Sequence, residues 1–368
     1  MISLNWVKDY VDIENRDLKK LATEITQAGI NVEKVVTKHI DNLVIGEVLT
    51  CENHPDSDHL HICLVDIGNE TLQIVCGAKN VRQGIKVIVA KDGCVLPGNN
   101  VIKKGKIRGV GIIMIGTFVL CSVFLLPVTK EFVFYDILIF LEMLSGYLDD
   151  ASDKPWSDYK KGFIDLIICV LISVVFVYNN STAIMIFNYE IYVPPVLFAV
   201  LSTILLWIGI NVTNCSDGVD GLCGSLSIIS LLSISLIFFN QIGEQYAVYG
   251  FIMIGVLIAY LCFNTSPSSQ LMGDAGSRPI GILIVLLILK SAHPLSYLLL
   301  SAVLIVDGIA GLIKIFLKRF LKIEVLKNIR TPIHDEMRKN HGWSDTQVLV
   351  RFCIIQLFIS AVAYVICR

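Results

Sequence analysis

The sequence predicts a polytopic α-helical membrane protein with about nine spans and a small N-terminal α+β, OB-like soluble domain. Two observations support this fold class. Hydrophobic residues make up 54% of the 368 residues and the mean hydropathy is +0.69, which is high for a soluble globular protein. The apolar residues are concentrated after residue 110, whereas residues 1–110 contain 14 Lys and Arg and 14 Asp and Glu. A neutral net balance of this kind gives no basic field for nucleic acid.

The N-terminal part divides into two predicted pieces. Residues 1–38 are expected to form a small helix–strand unit whose helical stripe ends at Gly29. From Leu43 the pattern changes to the period of two that is typical of strands, with Gly, Pro, Asn and Asp at the turns. Residues 39–110 are therefore predicted to form a truncated OB-like module. The helical stripe consists of Leu18, Leu21, Ile25 and Ala28.

The third piece, residues 111–368, contains the predicted membrane spans. Helical spans need roughly 20 apolar residues, and some of the segments are shorter than that. Because the first residues are polar, residues 1–110 are expected to remain in the cytoplasm. Most Lys and Arg residues then fall in the loops on the cytoplasmic side, as the positive-inside rule requires. The predicted spans are 111–128, 132–148, 162–178, 194–211, 223–240, 247–263, 279–294, 295–317 and 346–366.

Four polar segments lie at the ends of these apolar stretches, all on the predicted cytoplasmic side. Carboxylates are costly near hydrocarbon, so several of them gathered at helix ends indicate a functional site. Asp is an ordinary ligand for Mg²⁺, and glycine-rich turns let a backbone approach phosphate. The pattern predicts a membrane enzyme that acts on a phosphorylated substrate. The segments are 146–150, 211–222, 264–277 and 331–334.

The acidic residues in the first and third segments are the candidate catalytic groups. Asp149 and Asp150 point about 100° apart if they lie on a helix, so one can orient a metal or substrate while the other removes a proton. The alternative is a solvated helix end. Asp274 is flanked by Gly273 and Gly276, and this arrangement fits a Mg²⁺ ligand beside a pyrophosphate.

The second and fourth segments carry candidate substrate contacts. Asp217 and Asp220 are each followed by glycine, so their carboxylates and the neighbouring N–H groups can line a phosphate or a nucleobase. A tight turn between two helices is the alternative. His334 lies in a basic loop, where it is either solvated or part of an anion-binding group.

Residues 111–368 resemble the phospho-N-acetylmuramoyl-pentapeptide transferases, a family of polyprenyl-phosphate sugar-1-phosphate transferases. The resemblance implies that phospho-MurNAc-pentapeptide is transferred from UDP-MurNAc-pentapeptide to undecaprenyl phosphate in the lipid bilayer, with Mg²⁺ as cofactor and UMP as product. It also implies a multi-pass protein of the bacterial inner membrane with a cytoplasmic active site. The matching segments are Gly111–Met114, Gly146–Asp150, Asn214–Leu222, Phe263–Asn264, Met272–Ser277 and Thr331–His334.

The resemblance also implies roles for individual residues. Asp149 and Asp150 are the acidic pair, one of them a base for the lipid phosphate, and Asp274 holds Mg²⁺. The chain departs from the family pattern at two of the matched places. Only the first residue of a run of three histidines is kept, in His334-Asp335-Glu336, and Leu271 stands where an aromatic residue is usual. The implied substrate-binding residues are Asn214, Asp217, Asp220, Gly221, Leu222, Asn264, Leu271, Ser277 and His334.

Residues 1–110 resemble the N-terminal part of the bacterial phenylalanyl-tRNA synthetase β subunit, including its tRNA-binding OB module. The resemblance is carried by Met1–Val11, His54–Cys63, Val75–Val81 and Lys106–Gly109. It implies weak tRNA binding by residues 39–110, and it excludes aminoacylation because the catalytic part of the synthetase lies outside the match. The cluster around His54, His59 and His61 is interpreted as a polar turn before a strand rather than as a metal site.

Three alternatives remain open from the sequence. The enzyme can be a relative that transfers N-acetylglucosamine-1-phosphate to the same lipid, as the broken histidine run at His334 allows. The abrupt change of resemblance at Val110–Gly111, where the expected first span and first cytoplasmic loop are missing, also allows an inactive fusion whose N-terminal module at most binds tRNA. A homodimer is a further partner arrangement to consider.

Overall fold

A computed structural model of the chain separates it into two compact units, Met1–Lys104 and Gly105–Arg368. The predicted domain boundaries at residues 38 and 110 stay predictions. His54 and His59 of the predicted polar turn lie outside the described residues. The structure describes residues 18–29, 42–53, 60–78, 80–91, 94–96, 100–101, 109–152, 156–186, 189–323 and 329–367.

The first unit contains one described helix and a four-stranded antiparallel sheet of order β3-β2-β1-β4. The helix, α1, ends where Gly29 takes a φ of +99°, a conformation that glycine adopts without strain. The side chains of Val48, Cys63, Val65 and Val89 form the small core between the strands. The elements are α1 (Leu18–Gln27), β1 (Leu43–Asn53), β2 (His61–Asp66), β3 (Thr71–Cys76), β4 (Lys86–Ala90), β5 (Val95–Leu96) and β6 (Asn100–Val101).

The described residues of the second unit form helices and one antiparallel hairpin, of strands β7 (Ala183–Ile186) and β8 (Tyr189–Tyr192). A large apolar core joins its helices. The helical content and the strand-containing first unit confirm the coarse fold class. The helices are α2 (Gly111–Leu125), α3 (Lys130–Asp150), α4 (Asp158–Asn179), α5 (Pro195–Cys215), α6 (Leu222–Ile237), α7 (Phe239–Ile242), α8 (Glu244–Asn264), α9 (Asp274–Lys290), α10 (Tyr297–Leu300), α11 (Ala302–Phe316), α12 (Ile333–Lys339) and α13 (Asp345–Cys367).

Four of the described helices, α4, α5, α8 and α13, are long and apolar enough to cross a membrane. A fifth candidate is the bent pair Pro294–Leu300 and Ala302–Arg319. Helices α2 and α6 are apolar but contain only 15 and 16 residues. Helix α3 has 21 residues, yet it carries Glu131, Asp136 and Glu142 besides its terminal aspartates. The count of nine spans therefore stays a prediction.

The predicted span 295–317 is not one continuous helix, because the chain bends by 94° at Ser301. Gln356 of α13 supplies the hydrogen bonds that the break removes. Its amide oxygen accepts from Val303 N at 2.9 Å, and its amide nitrogen donates to the carbonyl oxygens of Leu299 and Leu300 at 3.0 and 3.1 Å. A polar side chain from another helix thus stabilises a bend inside an apolar run.

Helix α9 is the most deeply buried of the described helices, since every residue from Ala275 to Leu289 is buried. It begins at Asp274, five residues before the predicted span 279–294, and Pro279 lies inside it. The earlier start follows from Gly273, whose φ of +63° turns the chain into the helix. As a result Asp274 occupies the first turn of α9, where the exposed N–H groups favour negative charge.

Candidate active site

The candidate site forms where α2, α3 and α9 approach at backbone distance. A Cβ on Gly146 of α3 would lie 2.6 Å from the carbonyl oxygen of Asp274 and 2.6 Å from the amide nitrogen of Ala275. A Cβ on Gly111 of α2 would also overlap the start of α9, at the Met272 carbonyl oxygen. Only glycine fits at such contacts, so these residues bring the end of α3 against the beginning of α9.

The carboxylates of Asp149 and Asp274 share two cationic partners. Lys161 of α4 forms an ion pair with Asp149, and its Nζ lies 4.0 Å from Asp274 Oδ2. Arg278 of α9 forms an ion pair with Asp274, and its Nη2 lies 3.6 Å from Asp149 Oδ2. The second oxygen of Asp149 accepts a hydrogen bond of 2.8 Å from the backbone N–H of Trp156. The two predicted catalytic residues are therefore neighbours, held by charge on both sides.

Asp150 lies against the turn that begins α9. A Cβ on Gly273 would lie 3.2 Å from Asp150 Cγ, so the carboxylate stands directly over that glycine. Its Oδ2 is buried and has no hydrogen-bond partner within the described part of the chain. An acceptor oxygen without a donor is suited to receive a proton or to bind a cation.

The predicted substrate-binding residues occupy the same end of the helical unit. Ser277 Oγ donates to Asn214 Oδ1 at 2.8 Å, which ties the end of α5 to the first turn of α9. Asn264 at the end of α8 accepts from the backbone N–H of Gly221 at 2.8 Å and donates to the carbonyl oxygen of Gln270 at 2.8 Å. The N–H of Gly221 is thus already engaged by Asn264.

The remaining predicted substrate contacts differ in how they face the site. Both oxygens of Asp220 accept from Ser268, at 3.1 Å from its N–H and 2.8 Å from its hydroxyl, so the carboxylate joins two loops. Asp217 is partly buried in the turn between α5 and α6. Leu271 is also partly buried, whereas the side chain of Leu222 is fully buried in the apolar core. Leu222 can therefore offer a ligand only its backbone.

His334 is buried at 3% exposure, so the solvated-loop alternative is wrong. Its backbone N–H donates to Asp307 Oδ1 at 2.8 Å, and its Nδ1 lies 2.8 Å from Asp307 Oδ2. Ser216 Oγ also donates to Asp307 Oδ2, at 2.9 Å. A Cβ on Gly218 would lie 2.8 Å from His334 Cε1, so the far edge of the ring packs on this turn. Asp307 orients the imidazole with its Nε2 edge toward the predicted nucleotide loop.

Several residues of the site were missed by sequence reasoning. Asp307 and Asp165 are carboxylates inside apolar helices, and Lys161 and Arg278 lie near helix ends, where the sequence pattern indicates only membrane orientation. A signal for them existed, because an ionisable residue within an apolar helix is by itself a hypothesis for a functional site. The sequence pattern does not indicate which of these helices pack against one another.

The site has the donor chemistry for Mg²⁺ but not a complete ligand shell. In the described part of the chain, no three His, Cys, Asp or Glu residues are grouped closely enough to hold a metal ion. Mg²⁺ is commonly held by one or two carboxylates together with the phosphates of a substrate. Asp274 and the unpartnered Oδ2 of Asp150 are hard oxygen donors of this kind. The residues therefore fit Mg²⁺ that arrives with a diphosphate.

Comparison with known proteins gives the class of the second unit. Residues 132–292 match a family model described as Glycosyl transferase family 4. The second unit, whose apolar helices carry a cluster of carboxylates at one end, is therefore a membrane transferase by class. A phospho-N-acetylmuramoyl-pentapeptide-transferase from the Nichols strain of Treponema pallidum is 38% identical over 273 residues, which cover 68% of this chain and 75% of that protein. The chain belongs to the phospho-N-acetylmuramoyl-pentapeptide-transferase family.

The first unit is similar to a different group of proteins from the second. Residues 43–112 match a model described as Putative tRNA binding domain. The phenylalanine–tRNA ligase β subunit of Oceanobacillus iheyensis is 52% identical over 112 residues, and that of Bacillus subtilis strain 168 is 53% identical over 111 residues. These matches cover 30% and 29% of this chain but only 14% of each ligase subunit. Both resemblances drawn from the sequence are confirmed.

Proposed function

We propose that the chain transfers phospho-MurNAc-pentapeptide from UDP-MurNAc-pentapeptide to undecaprenyl phosphate, which forms lipid I and releases UMP. The observation that carries this proposal is the meeting of Asp149, Asp150 and Asp274 at the first turn of α9, brought about by Gly146. Family membership supports the reaction type. The reaction joins a lipid phosphate to a sugar phosphate, so it needs a base, a cation and a nucleotide pocket close together.

The two adjacent aspartates suit different tasks. Asp149 is engaged by Lys161, Arg278 and the Trp156 N–H, and these partners make it a weak base. Asp150 has no cationic partner among the described ion pairs, and its Oδ2 lacks a donor. Asp150 is therefore the better acceptor for the proton of the lipid phosphate, while Asp149 orients the cationic side chains.

Asp274 would hold Mg²⁺, which leaves Asp150 free to accept the proton. When bound, the metal neutralises charge on the diphosphate that is cleaved. The chain's own cations, Lys161 and Arg278, keep the surrounding carboxylates from repelling the phosphates. The leaving UMP is proposed to lie along the turn between α5 and α6, where Asn214, Asp217, Asp220 and His334 are gathered.

The proposal is tested with purified protein, UDP-MurNAc-pentapeptide, undecaprenyl phosphate and Mg²⁺, by following UMP release. The wild type should release UMP, and Asp274→Ala should not. Asp158→Asn is the matched control, because Asp158 is an exposed carboxylate whose loss breaks only a surface pair with Arg319. Robust release from the Asp274→Ala protein, or none from the wild type, contradicts the proposal.

A second donor is favoured by one specific observation, the replacement of two histidines by Asp335 and Glu336 after His334. UDP-N-acetylglucosamine should then serve as the donor for the same lipid. Exchange of the two UDP-sugars in the same assay separates the reactions. An intact protein that uses neither donor is the inactive fusion that the sequence left open.

The membrane topology is part of the same proposal. It includes the inner membrane, nine spans and a cytoplasmic site, and the charge pattern and the family support it. A cysteine introduced at Ser157 or Ser269, next to the site, should react with an impermeant thiol reagent only when the inner face of the membrane is open. Labelling of either position from outside contradicts this orientation.

We also propose that the first unit binds tRNA. The match to a tRNA-binding model and to two ligase subunits supports this, whereas the equal numbers of positive and negative residues in 1–110 argue for weak affinity. Retention of tRNA on a filter at low salt, lost as salt rises, is the expected result. Absence of salt-sensitive retention contradicts the proposal.

A further inference from the structure

Arg278 is a buried cation at the centre of the carboxylate cluster. The residue is 2% exposed and lies in the second turn of α9. Its Nη2 forms the ion pair with Asp274 and lies 3.6 Å from Asp149 Oδ2, and its Nη1 donates to Asp165 Oδ1 at 3.2 Å. One guanidinium therefore joins carboxylates from the three helices α3, α4 and α9.

The charges around Arg278 are unbalanced. Asp149, Asp165 and Asp274 contact it, and Lys161 is the other cation recorded in the cluster. Glu142 of α3 is also fully buried nearby, next to the carboxyl group of Asp165. Guanidinium keeps its charge in proteins, so Arg278 is a permanent counter-ion that cannot be titrated away.

Arg278 is shielded from solvent, but it contacts Asp274, which is not. The side chain of Asp274 is 22% exposed, against 4% for Asp149 and 6% for Asp165. A divalent cation that enters from solvent therefore meets Asp274 first, and there it faces the guanidinium charge. Two cations that share one carboxylate repel each other, and each weakens the binding of the other.

We propose that Arg278 is a positioning residue that also keeps a permanent positive charge next to Asp274. It holds Asp149 and Asp274 together before any metal is bound, and it lowers the affinity of Asp274 for a free divalent cation. Tight binding of the metal then requires the additional negative charge of the diphosphate. This inference rests on the proposed function, from which it takes the divalent cation.

The test measures Mn²⁺ binding to the full chain in detergent without substrate, by the electron paramagnetic resonance signal of free Mn²⁺. Arg278→Gln should bind Mn²⁺ at least about tenfold more tightly than the wild type, because one positive charge next to Asp274 is removed. Arg278→Lys keeps the charge and should change the affinity by less than about threefold. Arg319→Gln removes a surface cation that pairs with Asp158, and should leave the affinity unchanged.

Equal or weaker Mn²⁺ binding by Arg278→Gln overturns the inference. If that variant does not fold, Asp165→Asn decides, since the released guanidinium then pairs more strongly with Asp149 and Asp274. Asp165→Asn should bind Mn²⁺ more weakly than the wild type, and unchanged or tighter binding would overturn the inference. Failure of the proposed function is seen separately, as a wild type that releases no UMP whatever its Mn²⁺ affinity.

Discussion

Gly146 on α3 lies directly against the backbone of Asp274 on α9, so that no side chain can stand between the two helices at this point. The contact places the carboxylates that follow Gly146 by one turn beside the carboxylate that opens α9. A backbone contact of this kind fixes the separation of the acidic groups more firmly than flexible side chains would. The predictions below follow from this contact and from the buried polar pairs around it.

The first prediction concerns Gly146 itself. Gly146→Ala should lower the stability in detergent by about 1–3 kcal/mol, because the added methyl group forces α3 and α9 apart. UMP release should fall with it, since Asp149 moves away from Asp274. Gly116→Ala on α2 is the control, because a Cβ there meets nothing within 4 Å. Thermal unfolding midpoints and activity measure both effects, and equal behaviour of the two variants contradicts the prediction.

The second prediction concerns the pair of His334 and Asp307. Asp307→Asn keeps the shape but removes the charge that three donors share, so stability should fall by about 1.5–3 kcal/mol. Activity should fall too, because the imidazole loses its fixed orientation. Asp335→Asn, in the same helix as His334, loses only pairs with Lys339 and Arg338 and should change stability by less than about 1 kcal/mol. If both variants behave alike, Asp307 does not orient His334.

The third prediction concerns the other end of α9. Lys290 Nζ lies 2.7 Å from Glu131 Oε1 and 2.7 Å from Asn180 Oδ1, with 7% of its side chain exposed. Lys290→Met should cost about 1.5–3 kcal/mol, because it leaves the part-buried Glu131 without its cation, although Tyr135 and Asn180 still donate to it. Adding Glu131→Gln should recover most of the loss.

This double-mutant cycle has a surface counterpart in Arg319 and Asp158, whose side chains are 41% and 73% exposed. Their coupling energy should be at most about 1 kcal/mol. The variants at Lys290 should keep their UMP release per folded molecule, because the pair lies at the opposite end of α9 from Asp274. A specific loss of activity would show that the two ends are coupled.

The fourth prediction concerns pH. The N–H of Arg330 and the side chain of Asn340 donate to Glu336 Oε2 and hold the pKa of Glu336 below its ordinary value of 4.5. A carboxylate with a lowered pKa contributes stability above its unfolded pKa, and loses it as the pH falls through its folded pKa. The segment around α12 should therefore loosen as the pH drops below the ordinary value of 4.5.

Fluorescence of Trp343, which follows α12, should report this loosening, with Trp343→Phe as the blank. Glu336→Gln should remove the part of the pH-dependent fluorescence change that lies below the ordinary pKa of Glu336. A pH profile that is the same in Glu336→Gln and in the wild type would assign the change to another group.

The sequence predicted much of this arrangement and missed a specific part of it. Asp149, Asp150 and Asp274 lie at the ends of apolar stretches. A carboxylate there is energetically costly, so the sequence pattern indicates a functional site. Arg278 and Asp307 lie inside helices, and their meaning depends on which helices pack together. The bend at Ser301 was missed for a similar reason, because its hydrogen bonds come from Gln356, more than fifty residues further along the chain.

Helix α9 is tied to neighbouring helices at both ends, by Arg278 with Asp149 and Asp165 at one and by Lys290 with Glu131 at the other. A helix held in this way cannot slide along its axis without breaking a buried ion pair. We therefore expect the catalytic cycle to proceed around a stationary α9, with the loops and the incoming lipid providing the motion.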